Sequence, residues 1–379
     1  MIVTGSILLP IRMIGAIIAL LVAILWVNLA SLGLTSSHEE RRPCPPLRRQ
    51  WLLGPCRILA RVLLFFFGYL WIHETSQKEK EDKEKDKPRI HQPPPPPPTS
   101  IVVVNHIGFA ELLFLAYRYG CCFVSKESNR KLPVIGRVSE LMQSIFVERG
   151  DDDGAVNSSR NHYSKIVNRT TAAITTTEQI LERARSPVGQ WPPLAICPEG
   201  TTTTGHVMIH FHTSAFRAGQ SVQPVVVHMP FSPRHGYDPS FCCCSNIVLH
   251  ILCLMTQPRN HMHVHHLAVY TPNDAEKTDA QLFANNVRRC MVNALNKIIC
   301  HDNERNGKNH HAMVGTFELE WMHKLQFETT EKKRQLGRRL LAKRYYGKDA
   351  DIFLSPPVFT HDAFGRPLLV AEEQVKKDA

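Results

Sequence analysis

From Met13 to Leu34 the chain carries no charged residue and most side chains are large and apolar. A run of this length spans a bilayer core as a helix. It is apolar on every face, so it needs lipid or protein all round. Only Arg12 precedes it, whereas a cleaved signal peptide has a basic lead and a shorter apolar core. A retained membrane anchor, with its transmembrane helix at 13–34, is therefore expected. A second apolar run, Val62 to Ile72, is too short to span. It places an interfacial segment at 51–72 and closes an anchor region over 1–76. The pattern then changes abruptly. Lys78 to Lys87 alternates in charge and Pro93 to Pro98 is a proline run. This 77–100 stretch reads as a solvated linker ending in a stiff polyproline spacer, holding the next domain off the anchor.

Past the linker, short β-branched runs alternate with helical periodicity. Strands are expected at Ile101–Val104, Ser144–Val147, Leu194–Cys197, Val222–Val227 and Met262–Tyr270. Helices are expected at Phe109–Tyr119, Ile174–Arg185 and Leu282–Ile299. Strands interleaved with helices indicate an α/β domain, a central mixed β-sheet flanked by helices, over 101–300. Asp151 to Asn168 is polar and reads as a surface insertion. Residues 301–379 form a basic C-terminal extension.

The net charge of +11 suits anionic partners such as acidic lipid or a phosphorylated ligand. Zinc-finger spacing and an aromatic-interleaved basic stripe are both missing, so nucleic acid is not an expected partner. The 11 cysteines are odd in number and clustered as Cys121-Cys122 and Cys242-Cys243-Cys244. Adjacent cysteines do not build a regular disulfide framework, which points to a reduced, cytosol-facing chain. Arg41, Arg42, Arg48, Arg49, Arg57 and Arg61 follow the anchor and put that flank in the cytosol by the positive-inside rule. The formal sequons at Asn157 and Asn168 would then be silent. His261, His263 and His265 share one strand face but lack a fourth zinc ligand, so no metal is expected.

Four short segments carry candidate chemistry, in one order. The first is Asn105-His106 with Glu111 five residues after the histidine. His106 sits where a strand turns into a helix. A carboxylate on one imidazole nitrogen fixes the tautomer and stabilises the imidazolium formed when the other nitrogen takes a proton. That equipment makes a hydroxyl nucleophilic. No Ser or Cys stands at a nucleophile position near it in sequence, so direct attack by a substrate hydroxyl is expected rather than a covalent enzyme intermediate. The second segment, Ile145 to Arg149, ends in an arginine able to hold a phosphate through paired hydrogen bonds. The third, Pro198-Glu199-Gly200-Thr201, offers close backbone approach and hydroxyls for an anionic group. Glu199 is expected to orient polar partners rather than move protons. The fourth, Val222 to Val226, contains Pro224, expected to shape a strand edge beside the site.

These blocks resemble those of the glycerolipid acyltransferase family. Pro198 to Gly205, Leu8-Leu9-Pro10-Ile11-Arg12, Leu254-Met255-Thr256-Gln257-Pro258 and Ala284-Asn285-Asn286-Val287-Arg288-Arg289 are similar to its lysophosphatidylcholine and lysophosphatidylethanolamine acyltransferase branch. The resemblance runs from about Leu8 to Asn296. It implies an acyl-CoA-dependent enzyme with no resident cofactor, in which acyl-CoA is the co-substrate. His106 would be the general base and Glu111 its partner. Asn105, Arg149, Glu199, Gly200 and Thr201 would bind the acceptor, and Pro224 would lie near the acyl chain. Two positions depart from the family pattern: Glu111 stands where Asp is usual, and Thr204 where Asn is usual.

The expected function is acylation of a lysophospholipid. Lysophosphatidate or glycerol-3-phosphate is the alternative acceptor. A rival from another class is a membrane lipid-binding protein whose catalysis is impaired by Glu111. The terminal Lys376-Lys377-Asp378-Ala379 resembles a dilysine retrieval signal and suggests the endoplasmic reticulum membrane.

Overall fold

The computed structural model describes residues 2–30, 43–76, 99–132, 135–147, 176–200, 202–203, 205, 208–230, 237–241 and 247–305, with two further strands at 358–361 and 367–370. The charged and proline-rich linker, the Asp151 insertion with its sequons, Arg149, Thr201, Thr204, Cys242 to Cys244 and the terminal Lys376-Lys377-Asp378-Ala379 lie outside these residues. The chain divides into two compact units, Met1–Met322 and His323–Ala379. The second contains an antiparallel pair, β8 (Val358–His361) with β9 (Pro367–Val370).

In the first unit a mixed sheet of seven strands runs in the spatial order β1-β7-β6-β2-β5-β3-β4. The strands are β1 (Ile72–Ser76), β2 (Ile101–Val104), β3 (Cys122–Lys126), β4 (Ile145–Val147), β5 (Leu194–Ile196), β6 (Val222–His228) and β7 (Met262–His266). Strands β6, β2, β5, β3 and β4 are mutually parallel; β7 runs antiparallel to β6, and β1 is parallel to β7. The longer helices are α1 (Ile2–Ala30), α2 (Pro46–Phe66), α3 (Ala110–Tyr119), α4 (176–185), α5 (Ile247–Thr256) and α6 (Ala280–Arg305).

Strand β2 shows why the sheet needs helices on both faces. All four of its residues are buried. Ile101 and Val103 pack with Phe283, Val287, Met291 and Leu295 of α6. Val102 and Val104 pack with Phe114 and Leu115 of α3. A parallel strand buried on both faces reads as an unbroken apolar run, which is how it was legible.

The sheet reaches further upstream than residue 101. Ile72, expected to close an interfacial segment, instead opens β1, whose register with β7 runs from Ile72↔Met262 to Ser76↔His266. Helix α2 is 21 residues long and ends at Phe66. It buries Leu52, Leu53, Cys56, Ala60 and Leu64 and leaves Leu47, Trp51, Ile58 and Phe65 exposed on its other side. Arginines read from sequence as flanking charges are clamps here. Arg57 donates to the Tyr117 and Arg118 carbonyls at the end of α3, at 2.8 and 2.9 Å. Arg61 donates to the Tyr69 and Leu70 carbonyls at 3.2 and 2.8 Å. Cations at helix carbonyl ends are favourable because those groups carry the negative end of the helix dipole.

Helix α1 also starts earlier than residue 13, so Arg12 lies inside it. Its stretch Ser6–Ala30 is long and apolar enough to cross a membrane. Arg12 is buried, and its guanidinium donates to the Met255, Gln257 and Pro258 carbonyls where α5 ends. Two segments that the family resemblance singled out separately, Leu8 to Arg12 and Leu254 to Pro258, are thus bonded to each other.

Candidate active site

The site sits at the carboxyl ends of neighbouring parallel strands, the usual place for ligands in open α/β sheets. Strand β2 ends at Val104 and the chain turns through Asn105-His106 into α3. The buried Asn105 amide, expected at the acceptor, pairs instead with β6: its Nδ2 donates to the Val227 carbonyl at 2.9 Å and its Oδ1 accepts the Val227 N–H at 2.8 Å. It substitutes for a ladder partner where β2 leaves the sheet.

His106 Nδ1 lies 2.7 Å from Glu111 Oε1. Glu111 is in the first turn of α3 and fully buried. Its carboxylate folds back over the turn. Oε1 also accepts the Ile107 N–H at 3.0 Å and the Gly108 N–H at 2.9 Å, and Oε2 accepts the Gly108 N–H at 3.0 Å. The longer side chain therefore reaches the imidazole, with backbone donors and the helix N-terminus holding the negative charge.

The third block closes around the same histidine. Glu199 is buried and holds the His106 backbone N–H on Oε1 at 2.9 Å and the Ile209 N–H on Oε2 at 3.2 Å. Burial pushes its pKa up to about 7, against those donors and the charges of His106 and Arg288. Gly200 has φ 69°, the left-handed region that favours glycine, and an added Cβ would stand 3.0 Å from the His212 ring. The Thr203 N–H donates to the His106 carbonyl at 2.7 Å. Phe241 N–H donates to the Ile107 carbonyl at 3.0 Å, so the 237–241 loop lies over the motif.

One neighbour was invisible along the chain. The parallel register pairs Val103 with Ile196, so Cys197 comes up beside the β2 turn. Its side chain comes close enough to His106 to bear on the protonation of the imidazole. A thiol does therefore stand next to the imidazole, contrary to the expectation from sequence, because residues 91 apart in the chain end adjacent strands. Burial opposes the imidazolium, but Cys197 and Glu111 outweigh it and hold the His106 pKa well above its ordinary value.

Pro224, expected at a strand edge, lies in the interior strand β6 opposite Val103. It falls between the isolated Val222↔Tyr270 bridge and the β7 ladder that starts at Val225↔His266, so neither demands the N–H it lacks. Its carbonyl accepts the Leu267 N–H at 3.1 Å.

The Acyltransferase family profile matches residues 87–229. Over 279 residues the chain is 30% identical to lysophospholipid acyltransferase LPEAT1 of Arabidopsis thaliana, covering 70% of this chain and 65% of that protein. It is 28% identical over 291 residues to a lysophosphatidylcholine acyltransferase of Drosophila melanogaster, covering 76% and 47%. With lysophosphatidylcholine acyltransferase 2 of Homo sapiens it shares 28% over 293 residues, covering 77% and 46%. The matches thus span between 46% and 65% of these three relatives' lengths. The solved structure of the 1-acyl-sn-glycerophosphate acyltransferase PlsC from Thermotoga maritima aligns over 76% of this chain and 97% of its own, with a TM-score of 0.41 and 13% identity, too loose a likeness to add to the fold above. Over residues 87–229 this chain is thus similar to the Acyltransferase family, and these three relatives carry lysophospholipid or lysophosphatidylcholine acyltransferase names.

Proposed function

We propose that the protein transfers an acyl group from acyl-CoA to the free hydroxyl of a lysophospholipid, with His106 as general base. The observation that carries this reading is the 2.7 Å contact of His106 Nδ1 with a buried carboxylate. That contact leaves the opposite ring nitrogen to take the acceptor's proton. The deprotonating oxygen attacks the thioester carbonyl. The tetrahedral intermediate then expels CoA thiolate, which recovers the proton from the imidazolium. Arg149 and Thr201 are assigned the glycerophosphate of the acceptor on the family resemblance. Asn105, Glu199 and Gly200 build the loop around His106. The α1 anchor and the dilysine-like tail support an endoplasmic reticulum membrane location with the site facing the cytosol.

The test is transfer of labelled acyl from acyl-CoA by membranes containing the protein. Lysophosphatidylcholine, lysophosphatidylethanolamine, lysophosphatidate and glycerol-3-phosphate are offered in parallel. Product from a lysophospholipid bearing a head group is expected. Product only from lysophosphatidate or glycerol-3-phosphate would move the enzyme to the alternative acceptor class, and no product at all would sink the reading.

Cys197 supplies a second check on the site. A maleimide is expected to alkylate this half-buried thiol and to stop most transfer by crowding the imidazole. Cys197→Ala should leave residual activity that the reagent no longer removes. Peptide mass spectrometry locates the adduct. Alkylation of Cys197 with an unchanged rate would place the thiol clear of the chemistry.

A further inference from the structure

The Ala284 to Arg289 segment, one of the blocks that resemble the acyltransferase branch, lies in α6. Helix α6 packs Phe283, Ala284, Val287 and Met291 into the core, and Arg288 is buried with them at 8% exposure. Its guanidinium is directed at the 208–209 backbone: Nε donates to the Ile209 carbonyl at 2.7 Å and Nη2 to the Met208 carbonyl at 2.8 Å. The Met208 carbonyl and the Ile209 N–H are the two ends of one peptide unit. That same N–H donates to Glu199, whose other oxygen holds the His106 N–H. The order is therefore guanidinium, peptide, carboxylate, histidine backbone. A cation on the carbonyl end polarises the peptide and strengthens its N–H as a donor, so the links reinforce one another.

We propose that Arg288 is a positioning residue for His106, acting through the Met208–Ile209 peptide and the Glu199 carboxylate. It touches no reacting atom. The burial that raises Glu199 to about 7 also lowers Arg288 to about 10, and each charge favours the other. Among the described residues, the charged and titratable groups around Glu199 are Arg288 from α6, His106 from the β2 turn with Cys197 beside it, and His212 against Gly200. Glu199 accepts both N–H groups best as the carboxylate, so losing the Arg288 charge lets it protonate at higher pH and slackens the hold on His106.

The experiment compares wild type with Arg288→Gln, Arg288→Lys, Glu199→Gln and the Arg288→Gln/Glu199→Gln double variant, in membranes. It reads kcat and KM against pH, and amide hydrogen exchange in the peptides containing His106 and Ile209. The kinetic readout rests on the acyl-transfer reading. The exchange readout does not, so a wild type without activity would fail that reading alone. Arg288→Gln should lose about tenfold to a hundredfold in kcat, the scale of a small misplacement, with the acceptor KM little changed. Its limb near pH 7 should move to higher pH, and exchange at His106 should quicken. Arg288→Lys keeps the charge and should keep the limb in place. Glu199→Gln should remove that ionisation, and adding Arg288→Gln should then shift nothing more. A loss equal at every pH with His106 exchange unchanged would overturn the proposal, as would full activity in Arg288→Gln. If Arg288→Gln does not fold, a Glu199→Gln profile that still carries the limb near pH 7 overturns it equally.

Discussion

His106→Ala is expected to lower acyl transfer by about a hundredfold to ten-thousandfold, the range for removing a general base. The protein should stay folded, because Glu111 keeps the Ile107 and Gly108 N–H groups and the turn remains closed. Initial rates with labelled acyl-CoA, paired with thermal unfolding, check both halves. The pH dependence has a definite sign. A base works only when neutral, and Cys197 and Glu111 raise the His106 pKa well above its ordinary value. Activity should therefore fall as pH drops through that raised pKa and recover above it. A variant that melts like wild type and transfers at the wild-type rate would remove His106 from the mechanism.

Glu111→Asp is expected to slow the enzyme, even though Asp is the residue the family usually carries there. Shortening the side chain draws the carboxylate back by about one bond length, ~1.5 Å, from an imidazole it now meets at 2.7 Å. A loss of about tenfold to a hundredfold in kcat follows from a misplacement of that size. Steady-state rates of the two proteins decide it, and a faster Asp variant would mean that Glu111 is a handicap. Glu111→Ala should cost stability as well. It leaves the Ile107 and Gly108 N–H groups buried without their acceptor, at about 1–3 kcal/mol each. The rival reading of an impaired, non-catalytic protein took its motive from the extra methylene. In this backbone that methylene is what brings the carboxylate into contact.

Legibility in the sequence followed burial and separation. Strands β2, β5 and β6 stood out because each is buried and unbroken, and His106 and Glu111 because one strand-to-helix turn holds both. Strand β1 was missed because Ile-His-Glu-Thr-Ser is a half-buried edge with polar side chains and follows an apolar helix that masks its start. Cys197 and Arg288 were not legible as neighbours of the site. Each gets there through a register or a packing contact that joins distant parts of the chain. Pro224 misled for a related reason: a proline suggests an edge, and only the neighbouring ladder shows that an interior position spares its missing N–H.

The two sides of the linker belong to one sheet. Strand β1 before it lies against β7, β2 after it lies against β6, and Arg12 ties the apolar helix to the carbonyls that end α5. The described residues on either side of 77–98 therefore belong to one body, not to an anchor and a separate enzyme. A catalytic domain on a leash could search the volume around its attachment point. Here the reach of the site is set by the sheet and by the bonded helices. An acceptor has to travel to His106, because the histidine is fixed at the end of a strand in the same sheet that the pre-linker strand joins.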